Sequence, residues 1–289
     1  MDDLLIHPKT KRLLKLQLSS PSQSVMITGN PGSNKLVIAK NLIAEMLEIK
    51  LEELDNYIYF LDISNEEKIS IEDIRSIQKF IKLKVLDNSN KPIKRIILIS
   101  SADNMRVEAQ NALLKTLEEP PQETMILLIS AQKGRLLSTI ISRVQEIEVL
   151  PVSYQQAKSY YKQKGTLPTN FESLFALSQG YTGLLDALVK SSEHQLLIDI
   201  SLAKTIFAES KGQRLIRVDE VSKDKKIAEQ LLSAMLKISH AALLSASKKN
   251  DKKSINRWSK TQKEIVQSII YLKSNVNTKL VFDNLFVSI

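Results

Sequence analysis

The chain has 289 residues, 43% of them hydrophobic, and a formal net charge of +9. That length suits two or three domains, and the apolar content argues against global disorder. The absence of cysteine excludes disulfides and thiolate zinc sites, and the scattered His7, His194 and His240 lack metal-ligand spacing.

No apolar run approaches the length needed to cross a bilayer, so no membrane partner is expected. The acidic start Met1-Asp2-Asp3-Leu4 lacks the features of a secretory signal, and a cytoplasmic location is the expectation. The basic balance is compatible with nucleic acid nearby but does not establish it.

The first half alternates strand-like and helix-like segments. Residues 24–28 are short, apolar and followed by a Gly/Pro turn, which reads as a buried strand. Leu36, Ala39, Leu42, Ile43, Met46 and Leu47 then recur at helical spacing. A second strand is expected at 57–61, a helix at 69–84 and a third strand at 95–100. The helix 109–119 must stop at Pro120-Pro121, because proline cannot continue the backbone ladder. Strands at 125–130 and 145–150 complete the set. Strands alternating with helices predict a mostly parallel five-stranded sheet covered on both faces, which binds ligands beyond the carboxyl ends of its strands.

From Pro151 onward the pattern turns helical: 154–164, 169–178, 184–191, 194–209, 218–247, 254–274 and 278–287. The expected division is an α/β domain at 1–150, a small helical domain at 151–192 and a helical C-terminal domain at 193–289.

Gly29-Asn30-Pro31-Gly32-Ser33-Asn34-Lys35-Leu36 directly follows the first strand and approximates a phosphate loop, G-x-x-x-x-G-K-[ST]. Gly29 and Lys35 remain, with Gly32 between them. The second glycine of the pattern is Asn34, and Leu36 takes the place of the hydroxyl that would hold magnesium. A hard cation wants oxygen ligands, and leucine has none. Lys35 reads equally well as a solvated lysine at a helix start.

Ala109 to Pro121, with the string Asn111-Ala112-Leu113-Leu114-Lys115-Thr116-Leu117-Glu118-Glu119-Pro120-Pro121, resembles the signature of clamp-loader AAA+ subunits. A helical core face explains the leucines but not the whole ordered string. Together with the altered phosphate loop, the chain is similar to the delta-prime family of bacterial DNA polymerase III clamp loaders. The resemblance extends to Ile6-His7-Pro8 near the start and to residues 272–282 near the end.

The resemblance implies an AAA+ P-loop-type sheet domain, a helical lid and a helical collar that joins five subunits. Ser100 and Ser101 stand where working family members carry the acidic pair of the third strand, and Asp103 is given no catalytic role. Such a chain is expected not to hydrolyse ATP alone, with room for weak ATP or ADP binding and no cofactor or zinc required. Ile140-Ile141-Ser142-Arg143-Val144 resembles the family's motif, with Val144 in place of its cysteine, whose arginine reaches ATP on the adjacent subunit; the favoured reading of Arg143 is the finger in trans, and the alternative is a surface arginine in a salt bridge. Ser130 matches the polar sensor 1 position, as a vestige. The turn Gly180-Tyr181-Thr182-Gly183 lacks the sensor 2 arginine. The zinc module of many members is replaced by the short acidic stretch 47–56.

The implied partners are gamma or tau and delta subunits in a five-subunit ring, and through it the sliding clamp and primed DNA. Lys248, Lys249, Lys252 and Lys253 open a basic cluster that continues through Arg257, Lys260 and Lys263. A solvated surface is the preferred reading of it, and a DNA-facing patch the alternative. Trp258 beside the cluster reads as packing or as a base-stacking ring. Two other functions stay open: an autonomous AAA+ ATPase with an atypical site, and a DNA-binding scaffold.

Overall fold

The computed structural model describes residues 3–64, 68–86, 91–191 and 194–289. They fall into two compact units, one of residues 1–167 with 178–185 and one of residues 168–177 with 186–289. The expected domain boundary at 192–193 lies outside the described residues.

The first unit runs α1 (Pro8–Ser19), β1 (Ser24–Thr28), α2 (Lys35–Leu47), β2 (Phe60–Ile63), α3 (Ile71–Phe80), β3 (Arg95–Ile99), α4 (Val107–Glu118), β4 (Thr124–Ser130), the single turn α5 (Ser138–Ile141), β5 (Gln145–Glu148) and α6 (Tyr154–Gln163). The strands form one sheet in the order β2-β3-β4-β1-β5, and every pairing is parallel. Its middle strands β1, β3 and β4 are buried throughout. Both faces are covered, which is why these strands are unbroken apolar runs. Alternate residues serve opposite faces. Val25, Ile27, Ile96, Leu98 and Leu127 pack with Ile38, Leu42 and Ile43 of α2. Met26, Ile97, Ile99, Ile126 and Leu128 pack with Ile74 and Ile77 of α3 and Leu113 and Leu117 of α4.

The second strand begins three residues later than its pattern suggests. Residues 51–56 form a 3-10 helix, and Phe60 N–H donates to the Tyr57 carbonyl at 2.9 Å. That turn keeps Tyr57 and Ile58 out of the ladder, which opens with Ile96 N–H donating to the Tyr59 carbonyl at 2.9 Å. The strand order sets β1 between β4 and β5, so the loop after β1 opens at the carboxyl edge of the sheet.

The chain continues through α7 (Phe171–Ser178) and α8 (Thr182–Lys190), whose residues are divided between the two units. The second unit then holds α9 (Gln195–Ala208), α10 (Lys211–Ile216), α11 (Val218–Val221), α12 (Lys225–Lys248), α13 (Lys252–Lys273) and α14 (Thr278–Ser288). Its core gathers Ile200 and Ala203, Leu231, Leu232 and Met235, Ile265 and Leu272, and Phe282 and Phe286.

The helix expected over 218–247 is two helices. Asp224 ends the continuity by capping α12, its carboxylate accepting from Lys226 N–H at 2.6 Å and Ile227 N–H at 3.3 Å. Among the described residues no helix is long and apolar enough to cross a membrane.

Candidate functional site

The loop after β1 turns on three positive-φ residues, Gly29, Gly32 and Asn34. Asn34 adopts the left-handed conformation at φ 69° and precedes α2 without a side-chain cap. Asparagine tolerates this geometry better than most residues. Gly32, at φ 81°, holds a conformation that side-chain-bearing residues rarely adopt, and a Cβ there would crowd Cβ of Leu184 at 3.0 Å. The first turn of α8 closes over the loop, since Leu184 N–H donates to the Gly32 carbonyl at 2.9 Å. Tyr181 of the same turn joins it through a hydrogen bond from Asn30 to the phenol oxygen.

Lys35 does not project away from the loop. Its Nζ donates to the carbonyls of Gly29 at 2.7 Å and Asn30 at 3.0 Å. Burial pushes its pKa below the ordinary lysine value, and the charge of Asp103 offsets only part of that. Leu36 is 44% exposed at the position of the missing hydroxyl.

The third strand ends in a rewired polar cluster. Ser100 Oγ donates to Asp62 of β2 at 2.9 Å. Asp103 accepts from Ala131 N–H at 3.3 Å, tying the turn after β3 to the loop after β4. Ser130 is buried and accepts from Gln132 N–H at 3.2 Å. Each of these polar groups is engaged in holding adjacent backbone or a neighbouring side chain.

A cavity of about 220 Å³ at this edge is lined by Thr28, Gly29, Asn30, Lys133, Glu146 and Tyr181, among others. Ligand pockets run from about 300 Å³ upward. Burial raises the Glu146 pKa, but hydrogen bonds from Lys133 and Thr28, with the Lys133 charge, outweigh it and hold the carboxyl below its ordinary range. A carboxylate therefore lines the cavity.

Arg143 follows α5, between β4 and β5. Its Nε donates to Oε1 of Glu118 at 2.7 Å, and its Nη2 lies 2.6 Å from the same oxygen in an ion pair. Its Nη1 donates to the Thr139 carbonyl at 2.9 Å and to Oγ of Ser142 at 3.3 Å. The Arg143 side chain keeps 34% exposure. Gln110, buried in α4, fixes the segment that leads there: its Oε1 accepts from Leu137 N–H at 2.7 Å, and its Nε2 donates to the Arg135 carbonyl at 3.1 Å. Sequence reasoning passed over Glu118, Gln110, Asp62 and Glu146. For Glu118 a signal existed: a carboxylate on the last turn of a helix opposes the macrodipole.

Lys248, Lys249, Lys252 and Lys253 are exposed at the α12–α13 junction. Trp258 packs edge-on against Phe207 with ring centroids 5.3 Å apart, and the Arg257 guanidinium lies 5.4 Å from its ring centre. Among the described residues no three or more His, Asp or Glu side chains group as a metal site.

Residues 6–153, a little over half of the chain, match the family described as DNA polymerase III, delta subunit. The DNA polymerase III subunit delta' of Pseudomonas aeruginosa is 37% identical over 117 residues, 40% of this chain and 34% of that protein. The Bacillus subtilis subunit delta' is 51% identical over 59 residues, 20% of this chain and 18% of its own length. The matched stretch thus spans about a third or less of these curated relatives. The crystal structure of a DNA polymerase III gamma subunit-related protein from Thermotoga maritima shares the fold, with a TM-score of 0.55 at 19% identity, covering 96% of this chain and 97% of that one.

Proposed function

The chain belongs to the family described as DNA polymerase III, delta subunit, and on that premise we propose that it is a clamp-loader subunit that does not hydrolyse ATP itself. In this reading it sits in a ring with ATP-hydrolysing gamma or tau subunits and a delta subunit, and helps load the sliding clamp onto primed DNA. Its own phosphate site fits magnesium ATP poorly. Leu36 offers no oxygen, Ser100 is engaged with Asp62, Lys35 donates to the loop's own carbonyls and Glu146 lines the cavity. Phosphoryl transfer rests on positioning and charge neutralisation, and these groups supply neither.

The observation that carries the reading is the contrast between that site and Arg143. The arginine is held on a fixed segment with part of its fork exposed. A planar, always charged guanidinium matches phosphate oxygens. Arg143 is the group the chain would offer to ATP on a neighbouring subunit, with Ser142 supporting it.

The test is the steady-state ATPase of the assembled ring with clamp and primed DNA. Arg143→Ala is expected to lower turnover by about tenfold or more while the ring stays assembled. An unchanged rate overturns the trans role. Substantial turnover by the isolated chain favours the autonomous ATPase instead.

A further inference from the structure

We infer that Glu118 is a positioning residue for Arg143, and that the acidic end of α4 exists to hold the finger. The inference rests on the trans role proposed for Arg143.

Glu118 is the last residue of α4, where unpaired carbonyls leave partial negative charge. A carboxylate there is unfavourable unless a cation answers it. Here the cation is Arg143, 25 residues further along the chain. A local rule is broken at Glu118; Lys115 adds positive charge to the same last turn, but the ion pair of the carboxylate is with the finger.

The geometry is specific. A guanidinium carries five N–H donors. Nε donates to Oε1 of Glu118, Nη2 forms an ion pair with the same oxygen, and Nη1 donates to the Thr139 carbonyl and Ser142 Oγ. The side chain keeps 34% exposure, and its exposed part remains to meet a phosphate oxygen. Without Glu118 the long side chain regains its rotamers, and ordering it on each encounter costs conformational entropy. Both partners rest on a shared frame. Pro120-Pro121 end α4 directly after Glu118-Glu119. The Pro121 carbonyl is anchored by Gln23 Nε2 at 2.8 Å. Gln110, two turns earlier on α4, fixes the segment before Arg143. The string that a leucine-lined core face left unexplained thereby acquires a role at its acidic end.

The experiment is a double-mutant cycle on the reconstituted ring, with ATPase measured against ATP concentration in the presence of clamp and primed DNA. Glu118→Ala is expected to lower kcat by about threefold to tenfold with KM little changed, and to have no further effect in the Arg143→Ala background. Glu118→Gln, which keeps an acceptor for Nε, should recover part of the loss. Thermal melting of each variant checks the fold, and the Gln variant serves if Ala unfolds. Loss with Arg143→Ala but none with Glu118→Ala overturns the positioning role and leaves the finger intact. An equal further loss in the Arg143→Ala background assigns Glu118 a structural effect and also overturns it, as does a rate increase. No loss with Arg143→Ala overturns both readings together.

Discussion

In the loop after β1, burial and the charge of Asp103 act on the Lys35 ammonium in opposite directions, and burial prevails. The two carbonyl acceptors hold the ammonium, yet removing it from water lowers its pKa. A depressed lysine pKa means that the folded state binds fewer protons than the unfolded state between the folded value and the ordinary 10.5. Stability should therefore rise with pH through that window, and below it the burial penalty stands in full. Urea unfolding of the wild type and of Lys35→Met from pH 8 to 10.5 checks this. The wild type should gain on the variant as pH rises, and a flat or falling difference rejects the assignment. Leu36, Ser100, Ser101 and Arg143 could all be singled out from the sequence because each is a substitution in, or a match to, a spaced motif. The orientation of Lys35 and the Glu118–Arg143 pair could not. The first depends on φ angles at Asn34 and Gly32, and the second on two elements meeting in space.

Among the elements, α3 ends on a device supplied from another strand. Arg95, at the start of β3, is 3% exposed and stacks at 5.7 Å over Phe80, the last residue of α3. Its Nη1 donates to the Ile81 carbonyl at 2.6 Å, and its Nη2 donates to the Leu83 carbonyl. The fork thus satisfies the carbonyl of the C-cap residue and one two residues beyond it, and places positive charge at the negative end of the dipole. Arg95→Met should cost about 1–3 kcal/mol, because two part-buried carbonyls lose a charged donor. Arg95→Lys should recover only part, since a point charge cannot span both carbonyls. Equilibrium denaturation gives the comparison, and a Met variant as stable as wild type would exclude a capping role. Elements whose pattern is local were legible: the apolar runs of β1, β3 and β4 mark strands covered on both faces. The short α10 was not, although Ser210 and Gln213 form a capping box that announces it. The break before α12 was also missed. Apolar positions continue at helical spacing on both sides of it, and only the cap at Asp224 betrays the interruption.

The molecule as a whole carries separate cores in its two units. Ile97 lies at the centre of the sheet core and Phe282 at the centre of the helical core, both fully buried. Neither cluster contains residues of the other. Packing defects act over short distances, because a cavity is paid for by the atoms that line it. Calorimetry of the chain should therefore resolve two transitions rather than one all-or-none event. Phe282→Ala removes a ring that stacks at 5.4 Å against Phe286, and should destabilise the helical unit by about 3–5 kcal/mol. Ile97→Ala should destabilise the sheet unit by about 2–5 kcal/mol. Each substitution should lower one transition temperature and leave the other in place. A single endotherm displaced by either change would show that the two cores melt as one. Independent melting also has a functional consequence: Phe282→Ala would then leave the Glu118–Arg143 pair formed at temperatures where the helical unit is already open. In the ring proposed for this chain, that variant would separate a loss that runs through the helical unit from a loss of the trans role proposed for Arg143, a distinction that substitutions at Arg143 cannot make.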